Sequence, residues 1–225
     1  MAVILSIETA TKSCSIALAK DGQLVALKEE VSEKYSHSEQ LTVFIQDLLQ
    51  DNNFSFSDLD AVSISSGPGS YTGLRIGLST AKGLCYSLNL PLIDISTLEA
   101  MSQLMLEKHS DKLLCPMIDA RRMEVYCALF GTDHKTEVEA KVIDTSSFAK
   151  ELEQGQVLFF GDGADKCREV LSHANAHFEL NVYPSALGMI ALAEYKFQQQ
   201  QFEDVAYFVP FYLKEFVATT PKKQI

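Results

Sequence analysis

With 225 residues, 47% of them hydrophobic, the chain can build one large domain or two small lobes with real cores. Its formal net charge of −11 repels phosphate backbones, so any RNA in its function is expected to be held by another chain. No apolar run reaches the roughly 18 residues of a membrane span, and 2–7 opens as a strand without a basic stretch or cleavage site, so a cytoplasmic chain with no membrane association is expected.

Three short strands are predicted at 3–7, 14–19 and 24–28, the last two joined by Asp21-Gly22, a strong hairpin signal. His37, Leu41, Phe44, Ile45, Leu48 and Leu49 then recur at spacings of three and four, which predicts an amphipathic helix ended by Asp51-Asn52-Asn53. A strand at 61–65, a Gly-Pro-Gly loop, a helix over 71–88 and a strand at 92–95 follow. Strand, helix, strand, helix, strand implies parallel pairing with right-handed crossovers. Three antiparallel strands feeding such a unit make the ribonuclease-H-like half of the actin-like fold, shared by sugar kinases and the Hsp70 ATPase domain. Beyond 106 the pattern repeats more weakly, with strands predicted at 113–118, 125–130, 138–143 and 157–160 and a helix at 185–201. The expectation is an α/β chain of two ribonuclease-H-like lobes. The first covers 1–105 and a degenerate second covers 106–225, with a C-terminal segment free to pack back on the first. No low-complexity linker separates them, so the lobes should touch closely.

Ser6-Ile7-Glu8-Thr9-Ala10-Thr11 lies between the first two strands, where a tight turn offers N–H groups and the hydroxyls of Thr9 and Thr11 to a phosphate. A polar turn capped by its own hydroxyls is the alternative, and the glycine that lets a backbone press on phosphate is missing. Gly67 and Gly69 bracket a proline between a strand and a helix N-terminus, where free N–H groups and positive dipole concentrate. An anion seat and a rigid turn N-capped by Ser70 both fit that pattern. Gly161 and Gly163 form a similar turn in the second half. These positions are candidates for a vestigial phosphate or nucleotide site, with no cofactor expected beyond weak ATP or ADP binding. Asp119-Ala120-Arg121-Arg122-Met123-Glu124-Val125-Tyr126 sets paired charges at a strand boundary, either as an anion site facing the cleft or as an Asp-Arg structural pair.

The catalytic inventory is poor. His173 and His177, four apart and followed by Glu179, come closest to a metal pair, but 174–176 reads as a loop. In Ser36-His37-Ser38 neighbouring side chains on a helix point different ways, and no G-x-S-x-G elbow is present. Cys14, Cys85, Cys115, Cys127 and Cys167 are odd in number, form no C-x-x-C pair and mostly sit among apolar neighbours, as free thiols do in a reducing compartment.

Three stretches taken together, Ile4 to Thr9, Ser66-Gly67-Pro68-Gly69-Ser70-Tyr71-Thr72-Gly73-Leu74-Arg75-Ile76-Gly77, and Asp119 to Tyr126, resemble the bacterial TsaB (YeaZ) family. The second, followed by Ala81-Lys82-Gly83-Leu84, is the most specific, and Val209-Pro210-Phe211-Tyr212-Leu213 fits as well. The resemblance implies a non-catalytic, activating role in forming threonylcarbamoyladenosine next to the anticodon of tRNA. It also implies a heterodimer with the catalytic paralogue TsaD, a TsaE-type ATPase in a larger complex, tRNA reached only through that complex, and a homodimer when the chain is alone. TsaD carries a metal-binding H-x-E-G-H where this chain reads Thr97-Leu98-Glu99-Ala100-Met101. A threonine hydroxyl and a thioether replace two imidazoles poorly, and the late aspartate ligand has no clear match in Tyr183-Pro184-Ser185-Ala186, so no metal is expected.

The resemblance further implies pairing through two helices of the first lobe, with His37, Leu41, Phe44, Ile45 and Leu48 on one and Tyr71, Gly73, Arg75, Gly77 and Ala81 on the other. Gly73, Gly77 and Ala81 form a smooth stripe that would admit a partner helix, and close packing on the chain's own sheet is the alternative. On the partner reading Gly77→Leu folds normally and blocks pairing. Two enzyme alternatives remain. Weak phosphate turns count against a small-molecule kinase or ATPase, and the lack of a metal triad or nucleophile-base pair counts against a peptidase.

Overall fold

The computed structural model describes residues 2–32, 37–106, 108–131 and 134–214. Its strands are β1 (Val3–Glu8), β2 (Ser13–Lys20), β3 (Gln23–Val31), β4 (Ala61–Gly67), β5 (Leu92–Ser96), β6 (Leu113–Asp119), β7 (Glu124–Cys127), β8 (Glu139–Val142), β9 (Val157–Phe160) and β10 (Ala176–Glu179). The helices are α1 (His37–Asp51), α2 (Tyr71–Leu88), α3 (Thr97–Leu106), α4 (Ala149–Gln154) and α5 (Ile190–Gln198). The first sheet runs β3-β2-β1-β4-β5 and the second β10-β9-β6-β7-β8. In the first, β1, β2 and β3 form an antiparallel meander to which β4 and β5 add in parallel. In the second, β6, β7 and β8 form the meander and β9 and β10 add in parallel. Strand for strand the topologies match, which is the duplicated ribonuclease-H-like architecture of the actin-like fold.

Local chemistry sets the best-defined elements. Asp21 and Gly22 both have positive φ, 52° and 72°, as a two-residue hairpin between right-twisted strands requires. α2 starts where the Ser70 hydroxyl accepts the Gly73 N–H (3.3 Å) and stops at Asn89, a left-handed C-cap. β1 is buried along its whole length, so its apolar residues feed two cores. Leu5 and Ile7 meet Leu41, Ile45, Leu48, Leu78 and Cys85 of α1 and α2, while Ile4 faces the opposite layer.

That opposite layer comes from a distant part of the chain. Ala186 and Met189 of a 3-10 turn, with Ile190 and Ala193 of α5, pack on Ala17, Ala61, Ile93 and Ile95 of the first sheet. The helix predicted over 185–201 is therefore a turn plus a shorter helix. The turn lets Gly188 press against α3, where a Cβ would overlap the Ala100 carbonyl. α3 in turn places Leu98, Met101 and Met105 on Leu114, Ile118, Leu158 and Phe160 of the second sheet. Both sheets thus share one central helical layer, and α4 covers the far face of the second with Leu152 beside Phe159 and Cys167. All five cysteines are buried free thiols.

After α5 the chain returns along the first lobe. Glu203 N–H donates to the Leu92 carbonyl (2.8 Å) and Phe211 N–H to the Ser66 carbonyl (2.7 Å), while Val205 and Phe208 pack on the first core. Lys214 then reaches across to Glu124 of β7. Among the described residues no helix is long and apolar enough to cross a membrane.

Candidate functional site

Four turns meet between the lobes: the β1–β2 turn and the β4–α2 loop from one side, the β6–β7 hairpin and the loop after β9 from the other. They enclose a cleft of about 530 Å³, with Phe211 to Lys214 along its rim.

The first-lobe wall is closed on itself. Ser70 N–H donates to the Ala10 carbonyl (2.6 Å), Ala10 N–H to Glu8 Oε1 (2.5 Å), and Ser13 N–H to the Thr11 hydroxyl (3.3 Å). The Thr9 hydroxyl donates to the Gly73 carbonyl (2.8 Å). Gly69 leans on Ala10 so closely that a Cβ would overlap the Ala10 carbonyl. The Thr9 hydroxyl and the Ser70 amide are thus spent holding the two loops together. Gly67, with φ of 115°, serves the C-terminal segment in the same way, its Cβ position lying 2.6 Å from the Phe211 carbonyl oxygen. In the second lobe Gly161 and Gly163 let their loop rest on the backbone of β6.

Beneath this wall Glu8 is fully buried, and its Oε2 has no hydrogen-bond partner among the described residues. Burial pushes its carboxyl from 4.5 up to about 7, against the opposing pull of the Ala10 amide and the Ser65 hydroxyl.

The second-lobe wall is charged. Asp119 pairs with Lys166, accepts Arg121 N–H (2.9 Å), and donates its own N–H to Asp162 (2.9 Å). Glu124 pairs with Lys214. Of the two readings of this segment, the Asp-Arg side-chain pair is not formed: Asp119 takes Lys166 as its ion-pair partner and binds Arg121 through the backbone N–H.

The pairing positions need correction. Leu41, Ile45, Leu48, Gly73, Gly77 and Ala81 are all buried in the chain's own core. A Cβ on Gly73 would overlap the Thr9 carbonyl, and one on Gly77 the Thr9 hydroxyl. The small stripe exists because α2 is wedged against the β1–β2 turn, so the expectation that Gly77→Leu folds normally is overturned. Phe44 is half-buried under Lys28, whose ammonium sits 4.9 Å from the ring centre. Arg75 is exposed and lies over Tyr71 (4.1 Å), and its Nε donates to the Tyr212 hydroxyl (3.3 Å). The His37 side chain lies outside the described residues.

The outward face of α2 carries Arg75, Ser79, Gly83 and Tyr86; Tyr86 is 86% exposed, and a Cβ on Gly83 would meet nothing within 4 Å. The signal for Tyr86 was an aromatic on the polar face of an amphipathic helix; the signal for Glu8 was a carboxylate closing an apolar strand.

Thr97 and Met101 are buried where α3 meets β5 and the second sheet. His177 lies on β10 and His109 pairs with Glu179 (2.9 Å). Among the described residues no three His, Cys, Asp or Glu side chains come together as metal ligands.

A family model described as TsaD, tRNA N6-adenosine threonylcarbamoyltransferase, matches residues 29–224. The tRNA threonylcarbamoyladenosine biosynthesis protein TsaB of Buchnera aphidicola subsp. Schizaphis graminum is 30% identical over 195 residues, 84% of this chain and 91% of that one. The chain belongs to the TsaB family. The Escherichia coli K12 protein of the same name is 39% identical over 142 residues, so the match spans 61% of that relative's length and 61% of this chain. YeaZ from Pseudomonas aeruginosa shares the fold, with a TM-score of 0.79 at 23% identity over 95% of this chain and 100% of that one. In this TsaB-family chain two of the stretches that carry the resemblance, the loop into α2 and the β6–β7 hairpin, line one cleft, and the first, Ile4 to Thr9, leads into the β1–β2 turn whose Ala10 and Thr11 line it as well.

Proposed function

We propose that this chain is the non-catalytic partner subunit of a tRNA threonylcarbamoyltransferase complex, acting with TsaD to form threonylcarbamoyladenosine next to the anticodon. The observation that carries this reading is the self-satisfied first-lobe wall. Its turn and glycine loop keep the form of a nucleotide-binding fold while the Thr9 hydroxyl and the Ser70 amide bind each to the other's loop and Gly69 leans on Ala10. Met101, in an apolar cluster, and Thr97 stand where the catalytic paralogue has metal-binding histidines, so neither metal nor nucleotide is assigned. The names of the TsaB relatives point to the same pathway. With a net charge of −11, tRNA is reached through the complex, which a TsaE-type ATPase completes in the cytoplasm.

TsaD is seated on the outer faces of α1 and α2, around Val43, Arg75, Ser79, Gly83 and Tyr86, and a second copy of the chain uses the same surface when TsaD is absent. Val43 and Tyr86 are apolar groups left 52% and 86% exposed. Gly83 provides the test. Gly83→Ala should stabilise the isolated chain by about 0.5–1 kcal/mol, because a helix-interior glycine is replaced where there is room. Gly83→Leu should also fold, yet overpack a helix-helix contact at a typical cost of about 1–3 kcal/mol, weakening TsaD binding roughly tenfold. Unchanged affinity of Gly83→Leu for TsaD would move the interface elsewhere.

A further inference from the structure

Arg121 and Arg122 line the cleft, and their guanidinium groups have no hydrogen-bond or ion-pair partner among the described residues. The acids beside them are already matched, Asp119 by Lys166 and Glu124 by Lys214. Asp162 also lines the cleft, so the acidic and basic lining side chains balance at three each; what sets Arg121 and Arg122 apart is that neither guanidinium group is paired within the described residues. We infer that the interlobe cleft binds a small multivalent anion, a phosphorylated or polycarboxylate metabolite, through Arg121 and Arg122 of the β6–β7 hairpin.

The fold does not ask for arginines there. Their φ values of 73° and 52° put both in the left-handed region of a three-residue loop, a conformation that Asn and Gly adopt more readily than long side chains. The tip is held by its own backbone and by Asp119: Arg121 N–H to Asp119 (2.9 Å), Glu124 N–H to the Arg121 carbonyl (3.2 Å), and Ala120 N–H to the Glu124 carbonyl (3.1 Å). Arginine is the residue suited to paired contacts with phosphate or carboxylate oxygens, so two of them on a fixed tip form a preorganised anion clamp. Across the cleft, Ser70 and Thr72 bring the N-terminal turn of α2, whose dipole favours the same sign of charge. The volume of about 530 Å³ suits a small molecule. An extended polyanion would meet the repulsion of the surrounding acidic surface.

The test uses the isolated full chain, so it does not depend on the pairing with TsaD. Pyrophosphate and citrate are titrated calorimetrically against potassium chloride of equal ionic strength, with the wild type and with Arg121→Asn/Arg122→Gly. Asparagine and glycine tolerate the left-handed conformation at these two positions, so the variant removes the charges without straining the loop. Saturable binding of pyrophosphate, citrate or both by the wild type, weakened at least about tenfold in the variant, is expected. Pyrophosphate alone would mark a phosphate site, and citrate as well would extend it to carboxylates. Equal affinity of variant and wild type, or no heat beyond that of potassium chloride, would overturn the inference.

Discussion

Glu8→Gln should remove a pH dependence of folding worth roughly 3 kcal/mol, the value that corresponds to a carboxyl moved from 4.5 to about 7. Below about pH 4.5 Glu8 is protonated in both the folded and the unfolded chain and costs nothing. Between 4.5 and about 7 the unfolded chain ionises while the folded chain keeps its proton, so stability falls as pH rises. Above about 7 the folded carboxylate is ionised too, and the whole cost is present. Glutamine keeps the acceptor for Ala10 N–H and never ionises. Urea unfolding of both proteins at several pH values should show their difference growing by roughly 3 kcal/mol in the variant's favour from pH 4.5 to about 8. Parallel profiles would mean that Glu8 does not hold its proton in the folded chain.

Gly73→Ala should destabilise the isolated chain by about 3 kcal/mol or more, although alanine in a helix interior normally gains about 1 kcal/mol over glycine. The new methyl group would overlap the Thr9 carbonyl, which belongs to backbone and cannot swing aside. Thr9 is held in turn by its hydroxyl on the Gly73 carbonyl, and its neighbour Ala10 by Ser70. Relief of the overlap therefore requires α2 to lift from the β1–β2 turn, which opens the core around Leu74 and Ile64. Gly83→Ala, on the open face of the same helix, is the matched control with the opposite sign. Loss of less than about 1 kcal/mol in Gly73→Ala would show that the turn yields.

The first lobe was largely legible because its elements are long and punctuated. α2 was read to its end residues from Ser70 and the following periodicity, and the first hairpin from Asp21-Gly22. In the second lobe the strands expected at 113–118, 125–130, 138–143 and 157–160 correspond to β6 to β9, whereas α4, with six residues, and β10, Ala176–Glu179, half-buried throughout and without an apolar run, are too short to read. α3 escaped notice because it is buried between two sheets and lacks a polar face long enough to read. The small stripe of α2 was recognised but given the wrong neighbour. Periodicity reports that Gly73, Gly77 and Ala81 share a face; it cannot report that a turn 64 residues away, at Thr9, occupies it. The same limit applies to the cleft: the pattern of residues cannot report that Ser70 donates its N–H to the Ala10 carbonyl and ties the two candidate phosphate loops together.

Reconstituted threonylcarbamoylation of tRNA, with purified TsaD and a TsaE-type ATPase and with this chain added or withheld, addresses the partner role head-on. Modification should be absent with this chain alone, weak without it, and saturate when it is equimolar with TsaD. Product formed by this chain in the absence of TsaD, or full modification in its own absence, would contradict that role.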